Sequence, residues 1–322
     1  MMPGRLPSRH LGLDLGATNL KWAVVARDVD AWSTLATGQV RTRSEEGAEA
    51  VVARIAETGA SVQADWPGIV SAGIGIPGLY DPVAGTIRFL VNTLGEWSGR
   101  PMAGPVSARL GVPVGLINDA RAFGLAELRL GAGRGVLSMV GLTLGTGVGG
   151  VFAIDGHVYH GHDGSAGELG HQTIDPDGPW CNCGNRGCME AYARADQIAV
   201  ACGTSTAEEA VTRARAGDRR ALDGLAQIGR YLGIGLANTV TVITPDRIVI
   251  GGGVAAAGDL LFEPIRAELV RRVKTTALDG IEVVAAELGT WAGAIGAAVH
   301  GAEHPGRGAG RASDGGARGA TA

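Results

Sequence analysis

The sequence predicts an α/β protein of two lobes, and three observations carry that prediction. Short apolar runs alternate with stretches of helical periodicity along most of the chain, as they do where strands are covered by helices. Three of those runs, near residues 11, 138 and 246, deliver the chain into glycine-rich turns. Two of them, near 11 and near 138, continue into a second strand, a weak internal repeat that points to two related lobes facing each other across a cleft. At 322 residues the chain is long enough to bury a core in each lobe.

Residues 10–25 read as strand, turn, strand, with Gly16-Ala17-Thr18-Asn19 at the turn. Glycine there lets backbone N–H groups approach a phosphate, Thr18 adds a hydroxyl, and Asp14 is placed to hold magnesium through water. An ordinary hairpin in which Asp14 caps a turn is the plainer reading. Helical spacing follows over 45–60, then a buried strand over 69–76 that ends in Gly75-Ile76-Pro77-Gly78. Asn92 and Trp97 fall in an irregular segment, where an amide and an indole N–H could face a polar ligand or Trp97 could simply pack.

Residues 112–117 form a short strand that delivers Asn118-Asp119 to its carboxyl end, and a helix starts at once over 120–130. In an open α/β sheet the ligand crevice lies beyond the carboxyl ends of the strands, which puts Asp119 where chemistry is done. Aspartate just ahead of a helix is also a preferred N-cap, and position alone does not choose between the two roles. The next strand, over 136–144, enters Gly145-Thr146-Gly147, a second phosphate cradle or a second plain hairpin, and returns over 151–154. Residues 161–171 hold too many glycines for a helix and read as a loop presenting Glu168 and His171.

Three of the four cysteines fall within eight residues, and His171 stands ten positions ahead of the first. The pattern is His171-x9-Cys181-x-Cys183-Gly184-x2-Gly187-Cys188. Thiolates and imidazole are ligands that zinc prefers, and four of them describe a closed tetrahedral site of the structural kind. The Cys-x-Cys start is shorter than a zinc finger's, so a loop clip is expected. A disulfide or buried free thiols are the alternatives, and the lack of a secretion signal weighs against the disulfide.

Helices are expected over 190–201, 206–216 and 219–241, the last apolar nearly all round and therefore a core helix. A strand over 246–249 enters Gly251-Gly252-Gly253, bare backbone against which an adenine or ribose could lie flat. Helices over 259–275 and 291–301 bracket a strand over 281–285. The stretch 302–322, rich in Gly, Ala and Arg without apolar periodicity, is expected to be a disordered tail. The 28 basic and 32 acidic residues form no basic stripe, which gives a nucleic-acid partner no footing. No long apolar segment opens the chain, so neither a secretion signal nor a membrane span is expected, and a cytoplasmic location is.

Taken in order, Asp14-x-Gly16-x-Thr18, Gly75-Ile76-Pro77-Gly78, Asn118-Asp119, Leu144-Gly145-Thr146-Gly147-x-Gly149-Gly150, Gly167-Glu168-x-Gly170-His171 and Cys181-x-Cys183-Gly184-x2-Gly187-Cys188-x-Glu190 resemble the ROK family of bacterial sugar kinases and sugar-responsive repressors. The resemblance covers about residues 10 to 300. It implies a two-lobed, actin-like, ribonuclease-H-like ATPase fold of the hexokinase type. The implied smaller lobe is 1–118, completed by the helix near 291–301, and the larger is 119–290. The implied reaction is transfer from ATP, with magnesium (Mg2+), to the 6-hydroxyl of a hexose. Asp119 becomes the general base, and Asn92, Asn118, Asp119, Glu168, His171 and Glu190 contact the sugar. Asp14, Gly16, Thr18, Asn19, Lys21, Gly145, Thr146, Gly147, Gly252 and Gly253 contact ATP or its phosphates. His171, Cys181, Cys183 and Cys188 hold structural zinc (Zn2+), and His171 serves the sugar loop through its other ring nitrogen.

Two departures from the family pattern matter. Ala17 stands where a second glycine is common, and Asp163 and Glu96 flank the sugar framework. Either carboxylate could pair with an amino group, which keeps an amino-hexose such as kanosamine, N-acetylglucosamine or N-acetylmannosamine beside glucose; solvated loop carboxylates are the plainer reading. Similar kinases are often homodimers, and a homodimer is expected here. The family's repressors carry a helix-turn-helix ahead of the first phosphate turn; only 13 residues precede Asp14, so the kinase is expected over the regulator.

Overall fold

The structure is a computed structural model that describes residues 7–29, 31–90 and 95–306. Asn92, an expected sugar ligand, and the expected tail from residue 307 onward lie outside the described residues. The chain divides into two compact units. One runs as far as Ile117 and resumes at Ala297; the other is Asn118–Gly296.

The first unit contains β1 (Ser8–Leu15), β2 (Asn19–Arg27), β3 (Trp32–Arg41), α1 (Ala48–Asp65), β4 (Ile69–Ile76), the hairpin β5 (Gly78–Asp81) and β6 (Thr86–Leu90), α2 (Ala103–Leu110) and β7 (Val114–Asn118). Its main sheet has the order β3-β2-β1-β4-β7. β1 and β2 pair antiparallel, as do β2 and β3, while β1 and β4 run parallel. Leu11, Leu13 and Leu15 of β1 are buried with Ile74, Ile55 and Trp97 in one core. Trp97 is thus a packing residue here, one of the two roles open to it in the sequence. Helix α1 starts later than expected because residues 44–46 form a short 3-10 turn and Gly47, with φ 91°, separates that turn from the helix. It runs on to Asp65 because Val62 still packs inward.

The second unit contains α3 (Asp119–Leu130), β8 (Met139–Leu144), β9 (Val148–Ile154), β10 (His157–Val158), α4 (Met189–Ala193), α5 (Ala195–Cys202), α6 (Ala207–Arg215), α7 (Arg219–Ile243), β11 (Arg247–Gly251), α8 (Asp259–Arg272) and β12 (Glu282–Ala285); α9 (Ala292–Glu303) carries the chain back into the first. The sheet order is β10-β9-β8-β11-β12. β8 and β9 pair antiparallel and β8 and β11 parallel, so β8 occupies the place in its sheet that β1 holds in the other. The weak repeat in the sequence is therefore a repeat of sheet topology.

Two helical expectations are corrected. The single helix over 190–201 is two, α4 and α5, because Arg194 between them is extended, with φ −70° and ψ 157°. Helix α7 is not apolar all round: Leu225, Ile228, Leu232 and Leu236 are buried, while Asp223, Gln227 and Arg230 are exposed. It is an amphipathic helix with one broad face in the core. Among the described residues no helix is long and apolar enough to cross a membrane.

Candidate functional site

The start of β9 organises the polar residues of the second unit. Three segments distant in sequence, around residues 120, 167–170 and 190, close on residues 148–150. The Val148 N–H donates to Oε2 of Glu190 at 2.9 Å. Gly170, next to His171, lies so close to β9 that a Cβ there would meet the Val148 carbonyl oxygen at 2.0 Å. A Cβ on Gly149 would meet that of Ala120 at 2.8 Å, and one on Gly150 would meet the Gly167 carbonyl oxygen at 2.4 Å. Asp119, Glu168, His171 and Glu190 are thus each within a residue or two of the same short piece of strand. Glycine is required at 170 because any side chain would push the loop off β9.

Strand β7 delivers Asn118 and Asp119, and α3 begins at Asp119. The capping role falls to Asn118, whose Oδ1 accepts the Ala120 and Arg121 N–H groups at 3.0 and 3.2 Å. Asp119 is the first helical residue, half-buried, and its Oδ1 also accepts the Ala120 N–H, at 2.8 Å. The helix terminus therefore has its cap without Asp119, and a carboxylate in the first turn is favoured by the helix dipole.

The sequence reading missed Arg121. Its side chain is 1% exposed; Nε and Nη2 donate to the Ala166 carbonyl at 2.9 and 2.6 Å, and Nη2 also reaches Oε1 of Glu168 at 3.2 Å. The available signal was a cation set among alanine, phenylalanine and leucine in the first turn of a core helix. Asp163, by contrast, is engaged within its own loop: its Oδ1 accepts the Ser165 N–H at 3.1 Å and the Ser165 hydroxyl at 2.5 Å. Glu96 is exposed.

The four expected metal ligands come together. Nitrogen and sulfur atoms of His171, Cys181, Cys183 and Cys188 lie within 4.8 Å of one another. Cys183 and Cys188 Sγ are 3.7 Å apart, as are Cys181 Sγ and His171 Nδ1. Zn–S bonds of about 2.3 Å at tetrahedral angles place two sulfurs about 3.8 Å apart, so the donor set fits such an ion. A disulfide needs sulfurs about 2.05 Å apart, and all four cysteines are unpaired. Burial and the neighbouring thiols push the Cys188 thiol up to about 12. The turn at Gly187, with φ 64°, lies against the Asp175 carbonyl, and a Cβ there would meet that oxygen at 1.5 Å. Glu190 follows in α4, with Oε1 3.7 Å from Cys181 Sγ.

The two glycine turns of the second unit are neighbours. A Cβ on Gly252 would meet the Leu144 carbonyl at 1.9 Å, which sets Gly252-Gly253 beside the 145–147 turn. Gly145 closes its own turn by donating to the Gly147 carbonyl at 2.9 Å, and its carbonyl accepts the Ala195 N–H at 2.9 Å. Gly145 and Thr146 are exposed. In the first unit the Gly16 N–H is committed to Asn19, at 3.1 Å, and the exposed tip of that turn is Ala17 and Thr18. The tip is tied back from Thr42, whose N–H donates to the Thr18 carbonyl at 2.9 Å and whose hydroxyl donates to Gly16 at 2.7 Å. Asp14 stands opposite Lys21 across the β1–β2 pair. Burial pushes its carboxyl up to about 6, against the opposing pull of Lys21.

Comparison with known proteins gives a consistent result. The ROK family pattern matches residues 10–302. Glucokinase of Thermotoga maritima is 36% identical over 307 residues, 89% of this chain and 95% of that one. Among solved structures, a ROK family glucokinase from Streptomyces griseus in complex with glucose and AMPPNP superposes with TM-score 0.77 at 31% identity, covering 92% of this chain and 100% of that one. A ROK hexokinase from Thermus thermophilus gives TM-score 0.77 at 35% identity over 92% and 98%.

Proposed function

The chain belongs to the ROK family, has the actin-like, hexokinase-type fold and is an ATP-dependent sugar kinase; from that premise we propose that it phosphorylates a hexose at the 6-hydroxyl, glucose first. The observation that carries this reading is the convergence of Asp119, Glu168, His171 and Glu190 on residues 148–150 of β9, beside the 145–147 turn.

A sugar hydroxyl is a weak nucleophile. As O6 bonds to the γ-phosphorus and the bond from that phosphorus to the bridging oxygen of ADP breaks, the hydroxyl proton passes to the Asp119 carboxylate. Asn118, Glu168, His171 and Glu190 bind the remaining hydroxyls and orient O6. Backbone at Gly145, Thr146, Gly147, Gly252 and Gly253 receives the donor nucleotide. In the first unit Gly16, Thr18, Asn19 and Lys21 serve the phosphates, and Asp14 would hold magnesium through water; that ion supplies charge neutralisation on the phosphates. His171 through Nδ1, with Cys181, Cys183 and Cys188, would hold zinc. Its chemistry is structural: it fixes the loop between Glu168 and Glu190 and leaves the other histidine nitrogen to the sugar side.

Glucose stands ahead of an amino-hexose because Asp163, one of the two carboxylates that could meet an amino group, is engaged by Ser165. We place the protein in the cytoplasm, where thiols stay reduced for zinc, as a homodimer. The test is ATP consumption across hexoses and amino-hexoses with wild type and Asp119→Asn. Hexose-dependent turnover lost in the variant supports the reading. Turnover that survives removes Asp119 from its role, and a wild type that binds sugar without consuming ATP is a regulator.

A further inference from the structure

We propose that Arg121 is a positioning residue for the sugar site: it holds the loop that carries Glu168 in its binding conformation before the hexose arrives. The inference rests on the hexose-kinase reading above and names a residue that reading does not use.

Three features of Arg121 oppose stability. The guanidinium is 1% exposed, and its one ion-pair partner among the described residues, Glu168, is 49% exposed. Burying a charge is weak evidence of stabilisation even when the pair is complete. Its Nη1 is buried without a hydrogen-bond partner among the described residues, a loss rather than a gain. Finally, Arg121 is the third residue of α3, where the helix dipole disfavours a cation. An apolar side chain of similar volume would avoid all three penalties.

What the guanidinium does is geometric. Nε and Nη2 grip the Ala166 carbonyl, and Nη2 reaches the Glu168 carboxylate, so one planar group fixes both the backbone and the side chain of the loop. Its own backbone is fixed too, because its N–H donates to the Asn118 cap. Asp119 and Glu168 are therefore held in register through one link, from the Asn118 cap through the first turn of α3 to the loop.

The test uses full-length protein and equilibrium binding of glucose by calorimetry, with steady-state kinetics in parallel. Arg121→Met keeps the volume and removes the donors; Arg121→Lys keeps the charge but cannot hold both acceptors. The expected result for Arg121→Met is glucose affinity weaker by about tenfold or more, with KM for ATP within about twofold of wild type, and partial recovery in Arg121→Lys. Combined with Glu168→Gln, Arg121→Met should add less than about twofold, because its effect runs through Glu168. Unchanged glucose affinity in both single variants, or full additivity with Glu168→Gln, overturns the proposal. If Arg121→Met does not fold, Arg121→Lys decides alone: about fivefold weaker binding at wild-type melting temperature supports it, and less than about twofold refutes it. A wild type that binds glucose without phosphorylating it refutes the kinase reading and leaves this comparison intact; one that binds no hexose refutes both.

Discussion

Glu190 accepts the backbone N–H of Val148 at 2.9 Å, so the helix leaving the cysteine loop is bonded to the strand leaving the 145–147 turn. The same turn gives its Gly145 carbonyl to Ala195, at the start of the following helix. The predicted sugar ligand and the predicted phosphate turn are therefore one mechanical assembly. Glu190→Ala should raise KM for both glucose and ATP, by about tenfold for the sugar and severalfold for the nucleotide. Glu190→Gln keeps an acceptor for Val148 and should spare ATP. Initial-rate measurements with each substrate varied separately check this; an ATP KM unmoved in Glu190→Ala means the turn does not depend on this bond.

Asn118 and Asp119 are adjacent yet should fail in different ways. Asn118 supplies the helix cap, so Asn118→Ala should lower stability by about 1 kcal/mol, read as a fall in denaturation midpoint. Asp119→Asn keeps shape and leaves the cap in place. Its kcat should fall by about 10²- to 10⁴-fold as the proton acceptor is lost, while the midpoint falls by less than in Asn118→Ala, since the helix keeps its cap and loses only a first-turn charge. A variant pair showing the reverse pattern would exchange the two roles.

The cysteine loop should contain about one zinc per chain, measured by elemental analysis of reduced, desalted protein. Among the described residues, the buried cluster at the cysteines themselves is Cys181, Cys188 and Ala191, small side chains that hold the loop weakly without an ion. Stripping the ion with a strong chelator should therefore lower the melting temperature by several degrees and expose backbone amides of 171–190 to hydrogen exchange, with little change in β8 or β11. Protein that contains no metal, or exchange that does not move, removes the ion from the account.

Local pattern made much of this molecule legible before the structure. The largely buried strands β1, β4, β8 and β11 are rich in apolar residues and lead into turns that contain glycine, and their places in the sequence agree with the expected strands to within a few residues. Strand β3 was not read, because as an edge strand it is exposed or half-buried throughout and shows no apolar alternation. The hairpin of β5 and β6 and the helix α2 passed unread in the same way, being short. At the site, Asp119 was legible as a candidate from its place after a strand, Glu168 and Glu190 as candidates from family resemblance, and the four candidate metal donors from their clustering. Arg121 was not, because its meaning lies wholly in the distant Ala166 and Glu168 that it holds. Nor could spacing show that Asn118, not Asp119, caps α3; one residue of helix phase decides that.

Asp14 links the first unit's chemistry to pH. Burial raises its carboxyl from 3.8 to about 6, so the folded state holds a proton that the unfolded state has released over that interval. The group's contribution to stability is therefore fully present below pH 3.8 and is lost as pH rises through about 6. Asparagine cannot ionise. Asp14→Asn should raise the melting temperature relative to wild type above pH 6 by a few degrees, and the difference should shrink to nothing near pH 4. The same variant should lose most activity at saturating ATP if the carboxylate holds magnesium through water, and wild-type activity should fall as pH drops through about 6. Thermal melts and initial rates from pH 4 to 8 read both effects. A stability difference independent of pH would mean that Asp14 ionises in the fold as it does in the unfolded chain.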